Sequence, residues 1–342
     1  MSNSTQLGRS NVRVPPLGFG AATLGNLYRK VSDEQARDTV ATALRHELTY
    51  IDTAPHYGFG LSESRLGAAL EELDPDQRVV ISSKVGRLLV PVDDAKGERH
   101  GFVDAAPFEP KFDYSYDAVM RSWEESRKRL RRDRIDILYA HDLGRMTHGA
   151  DHELHFASFM EGGYRAMREL RDGGQVGAIG LGANEWQICE DAMREGEFDV
   201  FLLAGRYTLL EQTALDSFLP ECARRQVSVV IGGPYNSGIL AHGTKSGHTL
   251  HYNYEPAPEH IVERVRRLEE VSERHGVKLA AAALQFPLFH PRVASVIPGQ
   301  SSIAEVEDTI SLFETRIPED YWSALKEDGL VRADAPVAES TR

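Results

Sequence analysis

Cysteine is scarce. The 342 residues contain only Cys189 and Cys222, too few and too far apart for a disulfide framework, which suits a reducing compartment with the cytoplasm as default. Clustered positive charge is missing too. With a net charge of −13 and no basic block, the chain offers little to nucleic-acid phosphate or an anionic membrane surface, so small molecules are the expected partners. Long apolar runs are also lacking. The longest lies around Leu279 to Leu284, too short to span a bilayer, and Met1 to Val14 is polar without the apolar core of a signal peptide. The expectation is a soluble chain, without internal repeats, whose tail from Ala333 to Arg342 is frayed.

What the sequence does contain is alternation of two kinds of segment. Short β-branched runs begin near Leu17, Thr49, Val79, Ile135, Ala178, Val200, Ser228 and Ala294. Between them lie helical patterns. Ser32 opens one that presents Ala36, Val40, Ala43 and Leu44 on one face, with Gln35 placed to complete a capping box. Trp186, Cys189 and Met193 share a face in another, as do Ile261, Val265 and Leu268 in a third; Cys189 and Cys222 both sit beside apolar helical positions and read as packing residues. Parallel strands need helical crossovers, so eight such units fit a closed (β/α)8 TIM barrel of α/β class. Such barrels pass roughly 250 residues as one unit, so residues 1–342 are expected to form a single domain. An open doubly wound sheet is the rival. Two connections exceed what the barrel needs, Gly86 to Tyr116 and Gly238 to Glu259, and both are expected over the active-site end. The first holds Phe102, Phe108, Phe112 and Tyr114; the second holds His242, His248, His251, Tyr252 and Tyr254.

Polar residues at the strand ends define a candidate acid–base site. Asp52 and Tyr57 stand in Tyr50-Ile51-Asp52-Thr53-Ala54-Pro55-His56-Tyr57-Gly58, Lys84 closes Val79 to Lys84, and His141 closes Ile135 to His141. A phenol titrates near pH 10 when free, so a neighbouring cation such as Lys84 is needed to favour its phenolate. Taken alone, Asp52 and Lys84 would read as a buried ion pair. Competing motifs fail on spacing. In Gly18-Phe19-Gly20-Ala21-Ala22-Thr23-Leu24-Gly25 the third glycine falls two positions late for a dinucleotide-binding Rossmann turn. No lysine has a tyrosine four residues before it, as a short-chain dehydrogenase requires, and the cysteines lack zinc-ligand spacing. His148, His152 and His155 could gather a divalent metal if helical, but a solvated polar loop is preferred and no metal is expected.

From about Leu17 to Leu312 these residues resemble the aldo-keto reductases, nicotinamide-dependent oxidoreductases built on a (β/α)8 barrel. The resemblance rests on Asp52-Thr53-Ala54 with Tyr57-Gly58, then Lys84 and His141, supported by Leu17-Gly18-Phe19-Gly20, Ser62-Glu63 and Val296-Ile297-Pro298. It implies that Asp52, Tyr57, Lys84 and His141 are catalytic. It also implies that the cofactor contacts Gly20, Asn184, Gly233, Pro234, Asn236, Ser237, Gly238, Pro298, Gly299, Gln300, Ser302, Glu305 and Asp308. Departures are visible. Many members hold the nicotinamide amide with Ser-Asn and Gln and stack a tyrosine on its ring, where this chain has Gly182-Ala183, Ala204 and Gly232; Asn184 and Tyr235 are the candidate substitutes. Gly299 and Glu305 replace the basic residues of NADP-using members, so NAD is expected over NADP. Within the family, Ala204 to Leu210 and Ile231 to Leu240 are similar to aldose dehydrogenases of the D-threo-aldose, or L-fucose, type and to pyridoxal dehydrogenases. The implied activity is oxidation of a free aldose at its anomeric carbon to a lactone, with Asp142, Trp186, Asn236 and the first loop's aromatics around the substrate. Pyridoxal is the alternative substrate, and a cofactor-sensing subunit, like the family's channel-associated members, the alternative of another class. Oligomeric state is left open.

Overall fold

The computed structural model describes residues 4–93, 97–247, 249–253 and 255–338. Its central sheet has eight strands: β1 (Phe19–Gly20), β2 (Tyr50–Asp52), β3 (Val80–Val85), β4 (Ile135–His141), β5 (Val176–Ala183), β6 (Val200–Ala204), β7 (Ser228–Gly232) and β8 (Val293–Ile297). They are hydrogen-bonded in consecutive order, every neighbouring pair parallel. No order reversal occurs, which removes the doubly wound alternative. The edges meet where Gly18 N–H donates to the Val296 carbonyl and Gly20 N–H to that of Pro298, both at 2.9 Å. The barrel is thereby closed.

Outside it lie α1 (Asp33–Arg45), α2 (Leu61–Leu73), α3 (Tyr116–Leu130), α4 (Tyr164–Asp172), α5 (Gln187–Glu195), α6 (Phe218–Arg225), α7 (Glu259–Arg274) and α8 (Ile303–Glu314). Ser32 caps α1 by accepting from Gln35 N–H at 3.0 Å, yet the Gln35 amide donates to the Ser301 carbonyl instead of returning to the cap. The expected capping box is therefore half made, its second member tying α1 to the start of α8. Ala36, Val40, Ala43, Cys189, Met193, Val265 and Leu268 are buried in the layer between helices and strands, and Cys222 joins them.

Alternation along each strand decides what lies inside the barrel. Ile135, Leu138 and Ala140 of β4 join the outer layer, whereas Ile137 and Tyr139 join an inner cluster with Tyr50, Ala178, Val200, Leu202 and Val230. An antiparallel ribbon, Thr5–Gln6 with Arg13–Val14, plugs the lower end by adding Leu7, Val12 and Val14 to that cluster. Two residues beyond inward Tyr50, Ser82 and Tyr139 come Asp52, Lys84 and His141, at the C-terminal rim where barrel enzymes place their chemistry.

The first long connection is structured. Arg87–Pro91 pairs with Phe108–Phe112, and Glu98–Arg99 with Phe102–Val103, both antiparallel. The second contains the Ile239–His242 helix and a short His251–Tyr252 ribbon with Glu255–Pro256. His248 and Tyr254 lie outside the described residues. The tail does not match the frayed expectation as far as residue 338: Ala335 is buried and Val337 and Ala338 pack on the core, which anchors the chain end. Residues 339–342 lie outside the described residues.

One buried ion pair locks α2 and α3 onto β3. Glu63, fully buried, accepts from Arg129 Nε at 2.7 Å and from Ser83 Oγ at 2.6 Å. Truncation leaves a cation without its partner, so Glu63→Ala should lower unfolding free energy by about 3–5 kcal/mol in urea titration. A loss below about 1 kcal/mol would contradict this role.

Candidate functional site

The rim assembles around Lys84. Its ammonium, 2% exposed, donates to Asp52 Oδ2 at 2.7 Å and to the Thr53 carbonyl at 2.9 Å, while Ser82 Oγ donates to Asp52 Oδ1 at 2.6 Å. The network continues downward: Tyr50 hydroxyl lies 3.2 Å from Ser82 Oγ and 3.4 Å from Tyr139 hydroxyl. Gly182 of β5 stands beside the lysine stem, where an added Cβ would sit 3.4 Å from Lys84 Cε.

Tyr57 reaches this group from the turn after β2. Gly58 has φ +64°, and a Cβ there would come within 2.4 Å of the Gly25 carbonyl, so the turn depends on glycine. Lys84 Nζ lies 4.7 Å from the Tyr57 ring centroid, and the Tyr57 and His141 rings meet edge to face at 6.1 Å. All four sequence candidates for catalysis thus converge.

Charge states differ in part from expectation. Burial raises the Tyr57 pKa above that of a free phenol; Lys84 acts the opposite way, favouring phenolate, but is outweighed with Asp52 adding to the rise. For Lys84, burial opposes the charge, yet Asp52 and Tyr57 together hold the ammonium above its ordinary range. His141 is held well below the ordinary imidazole range, by burial first and then by Arg87, Lys84 and His56. It is a neutral ring whose Nδ1 has no hydrogen-bond partner among the described residues.

Asp142 follows at φ +52°, a backbone conformation that aspartate tolerates better than most side chains. Its Oδ2 pairs with Arg87 and lies 3.5 Å from His141 Nε2, while Oδ1 accepts from Asn184 Nδ2 at 3.2 Å. Arg87 escaped the sequence reading because nothing in its neighbours marks it. Gly86 places it, at φ +100° with the Tyr114 ring where a Cβ would stand. The ribbon that follows brings its guanidinium over Phe112, 4.9 Å from the ring centroid. Tyr114 hydroxyl then fastens the rim by donating to the His141 carbonyl at 2.6 Å. Phe102 brings the first loop against His56 and Tyr57, at centroid distances of 5.4 and 6.3 Å.

Other candidates fall along one side of the rim. A cleft beside Asp142 is lined by Asn184, Ala204, Gly205, Gly233, Asn236, Ser237 and Asn253, the last from the second loop. Asn236 is committed inward, accepting from Thr208 Oγ1 at 2.6 Å and donating to the Gly205 carbonyl at 3.0 Å, so its side chain braces the cleft instead of reaching out for a sugar. Pro234 is buried and Gly238 begins the Ile239–His242 helix. At the barrel seam Gly20 meets Pro298 and Gly299, and Gln300 is fully buried with neither amide atom bonded among the described residues. Ser302 caps α8, and Asp308 is exposed on it.

Three expectations are corrected. Tyr235 is not a stacking face beside Gly232: its ring packs against the outer core with its hydroxyl buried. Trp186 leans on that outer core as well, and its indole N–H is engaged by Thr213 Oγ1 at 3.3 Å instead of being free for a sugar. Glu305 is not a bare carboxylate; Arg29 pairs with it, and Ser301 donates to it through N–H at 2.7 Å and Oγ at 2.9 Å. No ordinary motif flags Arg29, which comes from the other end of the chain. As for metal, the His148 and His155 rings lie 4.1 Å apart at a tilt while His152 contacts the Gly149 carbonyl, and no group of three or more metal-ligating side chains occurs among the described residues.

Residues 16–328 match the aldo/keto reductase family, and the chain belongs to it, an oxidoreductase family. It is 41% identical over 340 residues to a pyridoxal 4-dehydrogenase of Microbacterium luteolum, covering 96% of this chain and 98% of that one. It is 36% identical over 326 residues to a D-threo-aldose 1-dehydrogenase of a Pseudomonas species, covering 94% and 96%. A solved aldo-keto reductase from Bacillus halodurans, in holo form, shares the fold at TM-score 0.72 and 24% identity over 99% of this chain and 98% of that one. Among the described residues no helix is long and apolar enough to cross a membrane.

The nicotinamide cofactor implied by the family fits the residues present. A Cβ added at Gly233 would meet only Gly205 N, at 3.8 Å, and one at Gly299 only Thr23 Cγ2, at 3.6 Å, leaving backbone open to close approach. The orphaned Gln300 amide lies beside that opening. The balance of forces on Tyr57 can be read directly by NMR of 13Cζ-labelled tyrosine in the ligand-free protein. Its phenol should titrate above the free value near pH 10, and Lys84→Met, which removes the cation favouring phenolate, should move it higher still. Titration below the free value, or a downward shift in the variant, would contradict the assignment.

Proposed function

We propose that this oxidoreductase oxidises a cyclic hemiacetal to a lactone, the substrate being a free aldose of the L-fucose type and the anomeric carbon the reacting centre. The observation that carries the reading is the neighbourhood of the acid–base candidates: Asp142, Arg87 and Asn184 form a polar wall beside His141, suited to a polyhydroxylated substrate. Pyridoxal is the second reading, favoured by the 41% identity to a pyridoxal 4-dehydrogenase. The two share chemistry, because pyridoxal carries a hydroxymethyl group beside its aldehyde and also closes to a hemiacetal. The complete set of acid–base candidates argues for an enzyme over a cofactor-sensing subunit.

In this mechanism Tyr57 takes the proton of the hemiacetal hydroxyl as the C–H pair of electrons departs as hydride, leaving the new carbonyl. The Gly233 to Gly238 turn and the Pro298 to Ser302 segment would hold the nicotinamide, which when bound would supply the hydride acceptor. Lys84 favours the phenolate that Tyr57 must present, and Asp52 keeps that lysine charged and aimed. Neutral His141 orients the reacting oxygen by a hydrogen bond. Phe102 and the first loop limit water over the reacting carbon.

Because the base is a phenolate, present only above the Tyr57 pKa, kcat/KM for oxidation should rise as pH increases above neutrality. Tyr57→Phe should retain cofactor affinity and lose about two orders of magnitude or more in turnover. Retention of most of the turnover, with chemistry rate-limiting, would remove Tyr57 from its role. L-fucose, L-galactose, D-arabinose and pyridoxal compared at mildly alkaline pH separate the substrates, and a pyridoxal efficiency well above every sugar's would decide for the second reading.

The proposed cofactor preference is NAD. Arg29 offsets part of the Glu305 charge, but Glu34 and Asp38 line the groove beside Ser302, keeping that end acidic. A carboxylate about 4 Å from a phosphate charge costs roughly 1 kcal/mol in water and about 4 when shielded, a discrimination of about fivefold at the least. Binding of both cofactors to wild type and Glu305→Arg is the test: NAD should bind tighter to wild type, and the variant should gain affinity for NADP. Equal wild-type affinities, or no such gain, would overturn the preference.

A further inference from the structure

Both Arg87 and His141 address the same atom. Arg87 Nη2 pairs with Asp142 Oδ2, and His141 Nε2 stands 3.5 Å from that oxygen. Oδ1 is already engaged by Asn184. All three side chains are largely covered, Arg87 13%, Asp142 9% and His141 8% exposed, so water does little to soften the competition. A neutral imidazole beside an unpaired carboxylate would draw a proton and turn to it as an imidazolium. Resting on the proposed dehydrogenase reading, we infer that Arg87 is a positioning residue: by occupying Asp142 Oδ2 it keeps His141 neutral and its Nε2 available to the substrate oxygen.

The surroundings support this assignment from every side. His56 and Tyr57 meet His141 from the turn after β2, at ring-centroid distances of 6.0 and 6.1 Å; the charges of Lys84 and Arg87 act on it from β3 and the ribbon; Asp52 is engaged by Lys84, and Asp142 follows His141 in the chain. His100 meets His56 at a centroid distance of 5.8 Å, and His148 lies 3.0 Å from the Tyr114 hydroxyl that holds the His141 carbonyl. Of these, Asp142 is the carboxylate within ion-pair distance of the imidazole, and Arg87 is the group that neutralises it. The charge of Arg87 acts the same way directly, its repulsion being the largest contribution to the His141 shift after burial, and it also opposes the burial that raises the Asp142 carboxyl. Arg87 is itself fixed between the Phe112 ring and Asp142, so its position is set by the first loop. The loop that covers the substrate thereby also sets the protonation of the residue that orients it.

NMR of 15N-histidine in the ligand-free protein tests the inference without reference to activity, with His141 assigned through its loss in His141→Gln. Wild-type His141 should remain neutral over roughly pH 5 to 8. In Arg87→Gln it should titrate within that window, Arg87→Lys should restore the neutral ring, and Arg87→Gln with Asp142→Asn should abolish the new titration. In Arg87→Gln, kcat/KM should also fall toward acid pH by about tenfold per pH unit more than the dependence Tyr57 already imposes on wild type, an added steepness that a merely structural loss would not produce. A wild-type His141 that titrates in the window would overturn the proposal without any variant. So would an Arg87→Gln protein whose His141 stays neutral throughout. Absence of turnover with normal histidine titrations would instead indict the dehydrogenase reading and leave the electrostatic assignment standing.

Discussion

The Lys84–Asp52 ion pair is the constraint around which the rim is built. An ammonium and a carboxylate withdrawn from water cost several kcal/mol each, recovered only if their remaining hydrogen-bonding capacity is met. Here it is met: the Thr53 carbonyl takes a second lysine proton and Ser82 serves the second carboxylate oxygen. These partners come from β2 and β3, whose register sets Asp52 opposite Ser82. The pair places a fixed positive charge under the Tyr57 ring, and breaking either half would leave the other buried and alone.

A second ion pair, Arg87–Asp142, stands beside His141, so Tyr57 and His141 each adjoin a buried couple of opposite charges. This arrangement explains why a rim containing two cations, two carboxylates, two imidazoles and a phenol can remain neutral in sum. It also divides the labour. The first couple belongs to the barrel and is held by strand register, whereas the second joins the barrel to the loop after β3. Loop composition can therefore act on substrate recognition and on the charge of His141 while leaving Lys84, Asp52 and Tyr57 in place.

Much of the fold was legible because strand and helix leave different periods in the sequence. All eight strands appear within a few residues of their expected starts, and the strand-end positions of Asp52, Lys84 and His141 followed from runs such as Ile135 to His141. The less legible contacts are those that join distant segments. Arg29 meets Glu305 and Arg87 meets Asp142 across gaps that carry no periodic signal, and the first offsets the charge that the sequence reading gave Glu305. Tyr235 and Trp186 were misread for a related reason. An aromatic near a strand end has two faces of the protein available, and only packing tells which it takes. The Tyr57 pKa shows a third limit, since sequence identifies the favourable cation but not the depth of burial that opposes it.

The central claim is that the buried Lys84–Asp52 pair serves proton removal by Tyr57, concerted with hydride loss from the substrate. The most direct measurement is the primary deuterium isotope effect on single-turnover oxidation of L-fucose labelled at its anomeric carbon, in wild type and Lys84→Met, with cofactor affinity measured in parallel. The account predicts slowed hydride loss in the variant with a fully expressed isotope effect and near-normal cofactor binding. A variant that transfers hydride at the wild-type rate, with the wild-type isotope effect, would contradict it.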